Sequence, residues 1–428
     1  MLYVSSLNRN FTIAVFAIFC LLSTGCGKLA SSITSDIFCE QEPSHSRYQA
    51  GSGTVTLPFV ICTPAQLLTL AKTESDWGSS FVLARTIDVS SLSNMTPIGR
   101  YAADGSVTAA PFTGNFEGAG NAINGLKIDM TSTPALSAGL FGYIKGGTFK
   151  NLAITGADIT ALNTSALFAG FAENVSTENI SVIGVLRYPV GATGGQTIAG
   201  LFAHYLASDA QTHTIANTVL DVTLTANDLV GGMIGRGTIS GGGTVNFSGS
   251  TLDVKMLSPS TSSGNTWGGI GGYVAATASS TLNFSDIKGK IYIRLAPGGG
   301  AFVSCGFGTI SSISSTTLLT KTTLSIDIQT PGEFLSGTAG GFIAHGWSQN
   351  SGATLKISKI GVEGNFAHTT LTAGRGIISS FAAIIETYTN ASLEISDSYS
   401  NVDLVISSSA ANDLGGIIGI EQGLNVKV

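Results

Sequence analysis

Residues 111–130 read PFTGNFEGAGNAINGLKIDM, and residues 139–159 read GLFGYIKGGTFKNLAITGADI. Apolar residues alternate in both with small or polar ones such as Gly, Thr, Asn, Lys or Asp, and glycine or asparagine closes each short run. A period of two is the mark of a strand with one buried face, and the closing residues are those that turns require.

The second half of this stretch returns down the chain as a glycine-flanked apolar strand. It reads GLFGYI from Gly139, ALFAGF from Ala166, GLFAHY from Gly200, GGMIGR from Gly231, GGIGGY from Gly268, GAFVSC from Gly300, GGFIAH from Gly340, GIISSF from Gly376 and GGIIGI from Gly415. Taking Leu140, Leu167, Leu201, Met233, Ile270, Phe302, Phe342, Ile378 and Ile417 as equivalent gives steps of 27, 34, 32, 37, 32, 40, 36 and 39 residues. Repeats of that length in fixed order build a solenoid, in which no unit buries its apolar face alone. Helical repeats do not fit, because no stretch beyond Lys72 carries a helical period. Propeller blades need four strands per unit, and only two are clear here with room for one more. The last unit starts at Gly415 and reaches about half the usual length, so either a final strand ends the stack or the natural chain continues.

The run FTGNFEGAGNAINGLKI followed by GLFGYIKGGTFKNLAITG resembles the GLUG-type repeat of bacterial surface proteins. Upstream, ICTPAQL, FVLARTIDV and TPIG resemble the entry to such domains. The resemblance covers Ile61 to about Gly156. It implies a right-handed parallel β-helix of the pectate-lyase-like class and a cell-surface role, and it carries no catalytic residue to transfer. The expected architecture is therefore all-β: a β-helix over residues 53–428 with about nine to eleven coils and a short N-terminal capping helix.

That helix has a clear local signal. Thr63 can accept from an early helical N–H, Pro64 loses nothing at the first position, and Gln66 can close a capping box. The pattern predicts a helix over Pro64 to Lys72 that buries leucines and covers the raw edge of the first coil.

Residues 1–25 form a secretory signal, with one charge at Arg9 and an apolar run from Phe11 to Leu22 too short to be a good membrane span. LLSTGC resembles a bacterial lipobox, which makes Cys26 the lipidated first residue of the mature chain; an ordinary signal peptide is the alternative. Gly27 is not the acid that would favour inner-membrane retention, so the expected location is the outer membrane or cell surface, with the membrane reached through the lipid. Residues 26–52 are polar and without period, as in a tether. An exported protein permits disulfides, and Cys39 with Cys62 is the natural pair. Cys20 leaves with the signal, and Cys305 reads as a buried thiol.

With 55 glycines among 428 residues and only 11% charged residues, the chain suits an elongated stack better than one compact core. Losing the signal shifts its net charge from −6 to −7, which argues against nucleic acid as a partner. The five histidines show no metal-ligand spacing, and no nucleotide-binding or hydrolase motif is present, so no metal or cofactor is expected.

Two stripes remain as candidate sites. Asp158, Asp221, Asp253, Asp327 and Asp403 each stand between apolar residues, 18 to 25 positions after the strand of their unit, and are expected on one outward face. Asp88 and Asp129 share the pattern. Such a row is either a solvated face or a track for cations or a basic ligand. Tyr143, Tyr205, Tyr273 and Trp347, with Phe171, Phe307 and Phe381, follow the reference strand by three to five residues. They either fill a corner of the stack or offer rings to a sugar. The expected function is adhesion or ligand binding at the surface, to a glycan or another surface protein, without catalysis. The alternative is a polysaccharide lyase or glycoside hydrolase, for which no concentration of acidic and basic residues is visible in one loop.

Overall fold

A computed structural model describes residues 38–102, 104–133, 136–189, 197–259, 265–296, 301–333, 337–370, 376–388, 390–406, 412–415, 418–422 and 426–427. Cys26 and the expected signal lie outside them. The chain winds into a parallel β-solenoid with three sheets running along its length. A short sheet runs from Ser165–Ala166 to Asn412–Gly415, and a middle sheet from Phe141–Lys145 to Ile418–Gln422. The long sheet begins at Phe59–Ile61 and contributes two bent segments to most coils, as in Thr244–Ser248 and Thr251–Leu257. Among the described residues eight coils carry strands of all three sheets.

The interior follows from the alternation. One column of the long sheet is Phe59, Phe81, Phe116, Phe149, Thr177, Ile215, Phe247, Phe284, Leu319, Ile357 and Ile395, each the ladder neighbour of the next. All are buried. Parallel pairing stacks like on like, and Phe247 and Phe284 lie flat at 4.5 Å. Thr177 is the polar interruption: its Oγ1 is buried without a hydrogen-bond partner. Leaving a buried hydroxyl unpaired costs about 1–3 kcal/mol. Thr177→Val, which keeps the shape, should therefore stabilise the protein by about 1 kcal/mol; an unchanged or lower denaturation midpoint would show that the hydroxyl is satisfied.

The bend in the long sheet is made by residues with left-handed backbone. Asn151, Asn179 and Asn217 have φ of 53°, 55° and 55°, a region asparagine tolerates well. Their amides form a ladder: Asn217 Nδ2 donates to Asn179 Oδ1 at 3.0 Å, and Asn179 Nδ2 to Asn151 Oδ1 at 2.7 Å. The ladder stops at Gly249, where an added Cβ would stand 2.5 Å from Asn217 Oδ1.

The middle sheet corrects the repeat alignment. Phe141, Ala169, Phe202, Ile234, Gly271, Phe307, Ile343, Ala382 and Ile418 share one column, so successive coils take 28, 33, 32, 37, 36, 36, 39 and 36 residues. Phe302 pairs with Thr266 rather than at the level of Ile270, and Ile378 pairs with Ala339. Both belong to the short sheet, one strand early.

Helix α1, Pro64–Lys72, closes the first coil. Thr63 Oγ1 accepts from Gln66 N at 3.2 Å, while Gln66 Oε1 accepts from the backbone N–H groups of Thr63 and Cys62. Leu67 and Leu70 are buried, and Trp77 Nε1 donates to Leu70 O at 2.9 Å. Residues 38–52 are not a free tether. Cys39 is disulfide-bonded to Cys62, Tyr48 is wholly buried, and Gln49 Nε2 donates to Phe38 O and Gln41 O. The aromatic body of Tyr48 packs on Phe59 and Phe81, which is why this polar segment folds back over the end of the stack.

Candidate ligand-binding surface

The aromatic stripe divides once the pleat is known. Tyr143, Phe171, His204, Arg236, Tyr273, Thr309 and His345 form one outward column of the middle sheet. Tyr205 belongs to the next column, which points inward; it is wholly buried, and its hydroxyl donates to Val175 O at 3.1 Å. Phe307 and Phe381 are core residues too. Trp347 lies two residues beyond His345 and also faces out.

The N-terminal half of the column is closed. Tyr101 stacks on Phe171 at 4.2 Å and meets Tyr143 edge-on at 5.4 Å. The Tyr143 hydroxyl donates to Glu173 Oε2 at 2.6 Å, and Lys145 Nζ lies 3.0 Å from Glu173 Oε1. Burial first, then the hydrogen bond to Glu173, pushes the Tyr143 hydroxyl well above its ordinary range. Burial opposes ionisation of Glu173, but hydrogen bonds from Tyr143 and Lys145 outweigh it and hold the carboxyl below its usual value. Tyr143 is therefore a structural residue.

His204 packs against Phe171, and burial, with Arg236 adding repulsion, pulls its imidazole down to about 4. Its folded value lies below its unfolded one, so the unfolded chain takes up the proton first as pH falls. The neutral ring costs nothing above pH 6.5, and stability drains away from there towards pH 4. About 2 kcal/mol should be lost between pH 6.5 and 5. His204→Gln should flatten that slope; urea midpoints that fall equally in both proteins would remove His204 as the cause.

The C-terminal half is open. Tyr273 and Trp347 are partly exposed, with ring centroids 6.4 Å apart. His345 lies 4.7 Å from Trp347 and stacks on Phe302 of the short sheet at 5.5 Å. Arg236 Cζ stands 5.6 Å from the centre of the Tyr273 ring. Glu386 Oε2 accepts from the Tyr388 hydroxyl at 2.9 Å and lies 3.3 Å from the shielded Nε2 of His345, without hydrogen-bond alignment. Tyr388 is 49% exposed. The result is a platform of ring faces edged by a guanidinium, a carboxylate and a phenol. Ring faces take the apolar face of a sugar, and the edge groups take its hydroxyls. Hydrolysis would need a second carboxylate across the ring face, and among the described contacts Glu386 is the one that reaches these rings.

The aspartates share the outward face of the long sheet but not one row. Asp221 and Asp253 are ladder neighbours, followed by Lys290, Ser325, Glu363 and Asn401. Asp158, Asp327 and Asp403 stand in the column two residues further along, with Val185, Thr223, Lys255, Tyr292 and Asn365 among them. Asp158 is ion-paired with Arg187. Asp88 and Asp129 close turns, accepting from Ser90 N at 2.8 Å and Thr131 Oγ1 at 2.6 Å. Neighbouring rungs thus carry mixed charge, which is the pattern of a solvated face. Among the described residues no group of three His, Cys, Asp or Glu side chains could hold a metal ion. Cys305 is buried, and burial raises its thiol well above the ordinary value.

Arg236, Phe302 and Glu386 were not among the sequence candidates: Arg236 and Glu386 enter the platform through ladder register with strands 37 and 39 residues away, and Phe302 reaches His345 from the neighbouring short sheet. A stretch of this chain is 27% identical over 194 residues to Halomucin of Haloquadratum walsbyi, covering 45% of the chain. The match spans 2% of Halomucin's own length. No known protein family and no solved structure matches the sequence.

Proposed function

We propose that the protein is an exported, surface-displayed β-solenoid that binds a glycan on the Tyr273 and Trp347 platform and does not cleave it. The observation that carries this reading is the pair of partly exposed rings with Arg236 and Glu386 at their edge. Exported status rests on the N-terminal signal and on a disulfide that needs an oxidising compartment. The partial likeness to Halomucin and the resemblance to GLUG-type repeats fit the same setting. Lipidation of Cys26 would hold the chain at the membrane, since each buried methylene contributes about 0.8 kcal/mol. A Cys26→Ser protein released into the soluble fraction would support the anchor.

The test of binding is a glycan screen with the soluble mature chain, residues 27–428, followed by mass spectrometry of the bound sugar. Tyr273→Ala with Trp347→Ala should weaken the strongest ligand about tenfold or more, as two stacking contacts are lost. Undiminished binding by that variant would move the site elsewhere. Shortened glycan products would replace the binding role with that of a polysaccharide-degrading enzyme.

A further inference from the structure

The geometry points to a second binding surface, on the outward face of strand Thr281–Arg294, for a polysaccharide that carries carboxylate or sulfate groups. Lys288, Lys290 and Arg294 alternate along that strand and are all exposed. At about 3.3 Å per residue Lys288 and Lys290 stand about 6.6 Å apart and Arg294 about 13 Å further on, beyond Tyr292, so the positive rung extends about 20 Å. Lys255 of the preceding coil is the ladder neighbour of Tyr292 and holds its ammonium 5.5 Å from the centre of that ring.

This rung stands out because its cations are clustered as well as unpaired: among the described residues Lys127 and Arg236 also make no ion pair, but each is the single cation of its strand, and several others are matched. Lys145 is matched with Glu173, Lys150 with Glu178, Arg187 with Asp158 and Lys356 with Glu394. Among the described residues, none of Lys255, Lys288, Lys290 and Arg294 makes an ion pair, although Asp253 is a register neighbour of Lys290. Four unmatched cations on adjacent rungs of an acidic protein form a local attractor for anions.

The floor between them is shaped. Gly289 occupies an inward position between Leu252 and Leu324, where it contributes no side chain. The depression above it, about 480 Å³, is bounded by both lysines, by hydroxyls of Thr251, Thr323 and Ser325, and by the carboxylates of Asp253 and Glu363. Those carboxylates choose between polyanions. They accept hydrogen bonds from sugar hydroxyls, whereas a nucleic-acid backbone or a lipid headgroup layer offers few donors and repels them. A hydroxyl-rich chain with spaced anionic groups satisfies cations, carboxylates and hydroxyls together. The surface lies on a different sheet from the aromatic platform, so it stands or falls independently of that site.

The experiment is calorimetric titration of the soluble mature chain, residues 27–428, with alginate and with dextran sulfate, using uncharged dextran, phosphatidylglycerol vesicles and single-stranded DNA as competitors. Alginate or dextran sulfate should bind and lose affinity as NaCl rises from about 50 to 500 mM, because exposed charges are screened. Lys288→Gln with Lys290→Gln should weaken binding about tenfold at unchanged melting temperature. Lys255→Gln with Arg294→Gln serves as a second, equally exposed pair and should do the same. Tyr273→Ala with Trp347→Ala should leave the titration unchanged. Neither polyanion binding, binding undiminished by both charge variants, or DNA or vesicles competing better than alginate would each overturn the assignment.

Discussion

Phe141→Asp should unfold the first coils of the solenoid and remove most of their cooperative melting transition. The ring is wholly buried and has centroids of Phe112 at 5.6 Å, Phe116 at 5.8 Å, Phe149 at 5.1 Å and Phe168 at 5.5 Å around it. Truncating such a ring to alanine costs about 3–5 kcal/mol, and a carboxylate adds the penalty of a buried charge with no cation beside it. Because each coil is stabilised only by its neighbours, the loss is not spread over the whole chain. Hydrogen exchange should accelerate between about Phe112 and Phe168 while the distal coils keep their protection. The adjacent Leu140, equally buried, gives a second probe as Leu140→Asp. A thermal melt within a degree or two of wild type for both variants would contradict the stacking of these coils.

The architecture was readable because a parallel solenoid writes its fold locally. Each strand buries alternate residues, and each bend needs a left-handed residue such as Asn151, Asn179 or Asn217, so period and turn chemistry appear within a few positions. The helix at Pro64 was readable for the same reason, its capping box being complete within four residues. Register was not local. GAFVSCGFGTI runs from one short apolar strand, Ala301–Ser304, into another, Phe307–Ile313, and alternation alone does not say which continues the column of Ile270. GIISSFAAII poses the same choice between Gly376–Ser379 and Ala382–Thr387. A slip of an odd number of positions turns a residue from one face to the other, so the aromatic stripe mixed the core ring of Tyr205 with the outward rings of Tyr273 and Trp347. The platform's charged edge depended on the same missing register. Arg236 and Glu386 look like isolated surface charges until the ladder brings them beside Tyr273 and His345.

The end cap shows how a sparsely charged fold uses one buried carboxylate. Asp76 is 4% exposed and accepts from the Tyr48 hydroxyl at 2.7 Å and from Arg47 Nη2 at 2.8 Å. Burial, followed by the hydrogen bond and charge of Asp76, raises the Tyr48 hydroxyl far above its normal range, so Tyr48 acts only as a donor here. Asp76→Ala strands that hydroxyl in the core and leaves Arg47 to water. The expected cost is about 2–3 kcal/mol, below that of a fully buried pair because Arg47 is half-exposed. Asp76→Asn keeps an acceptor for Tyr48 and loses only the charge, so it should fall between the two. The consequence reaches beyond stability. Residues 42–58 cover Phe59 and Phe81, and Ala50 bridges the outer side of Val60, the first strand of the long sheet. Opening them bares a strand edge able to pair with another chain. Asp76→Ala should therefore be cleaved faster by protease within residues 42–58 and form concentration-dependent oligomers, more so once the Cys39–Cys62 bond is reduced. A variant that stays monomeric and protease-resistant after reduction would show that the disulfide and Asp76 do not guard this edge.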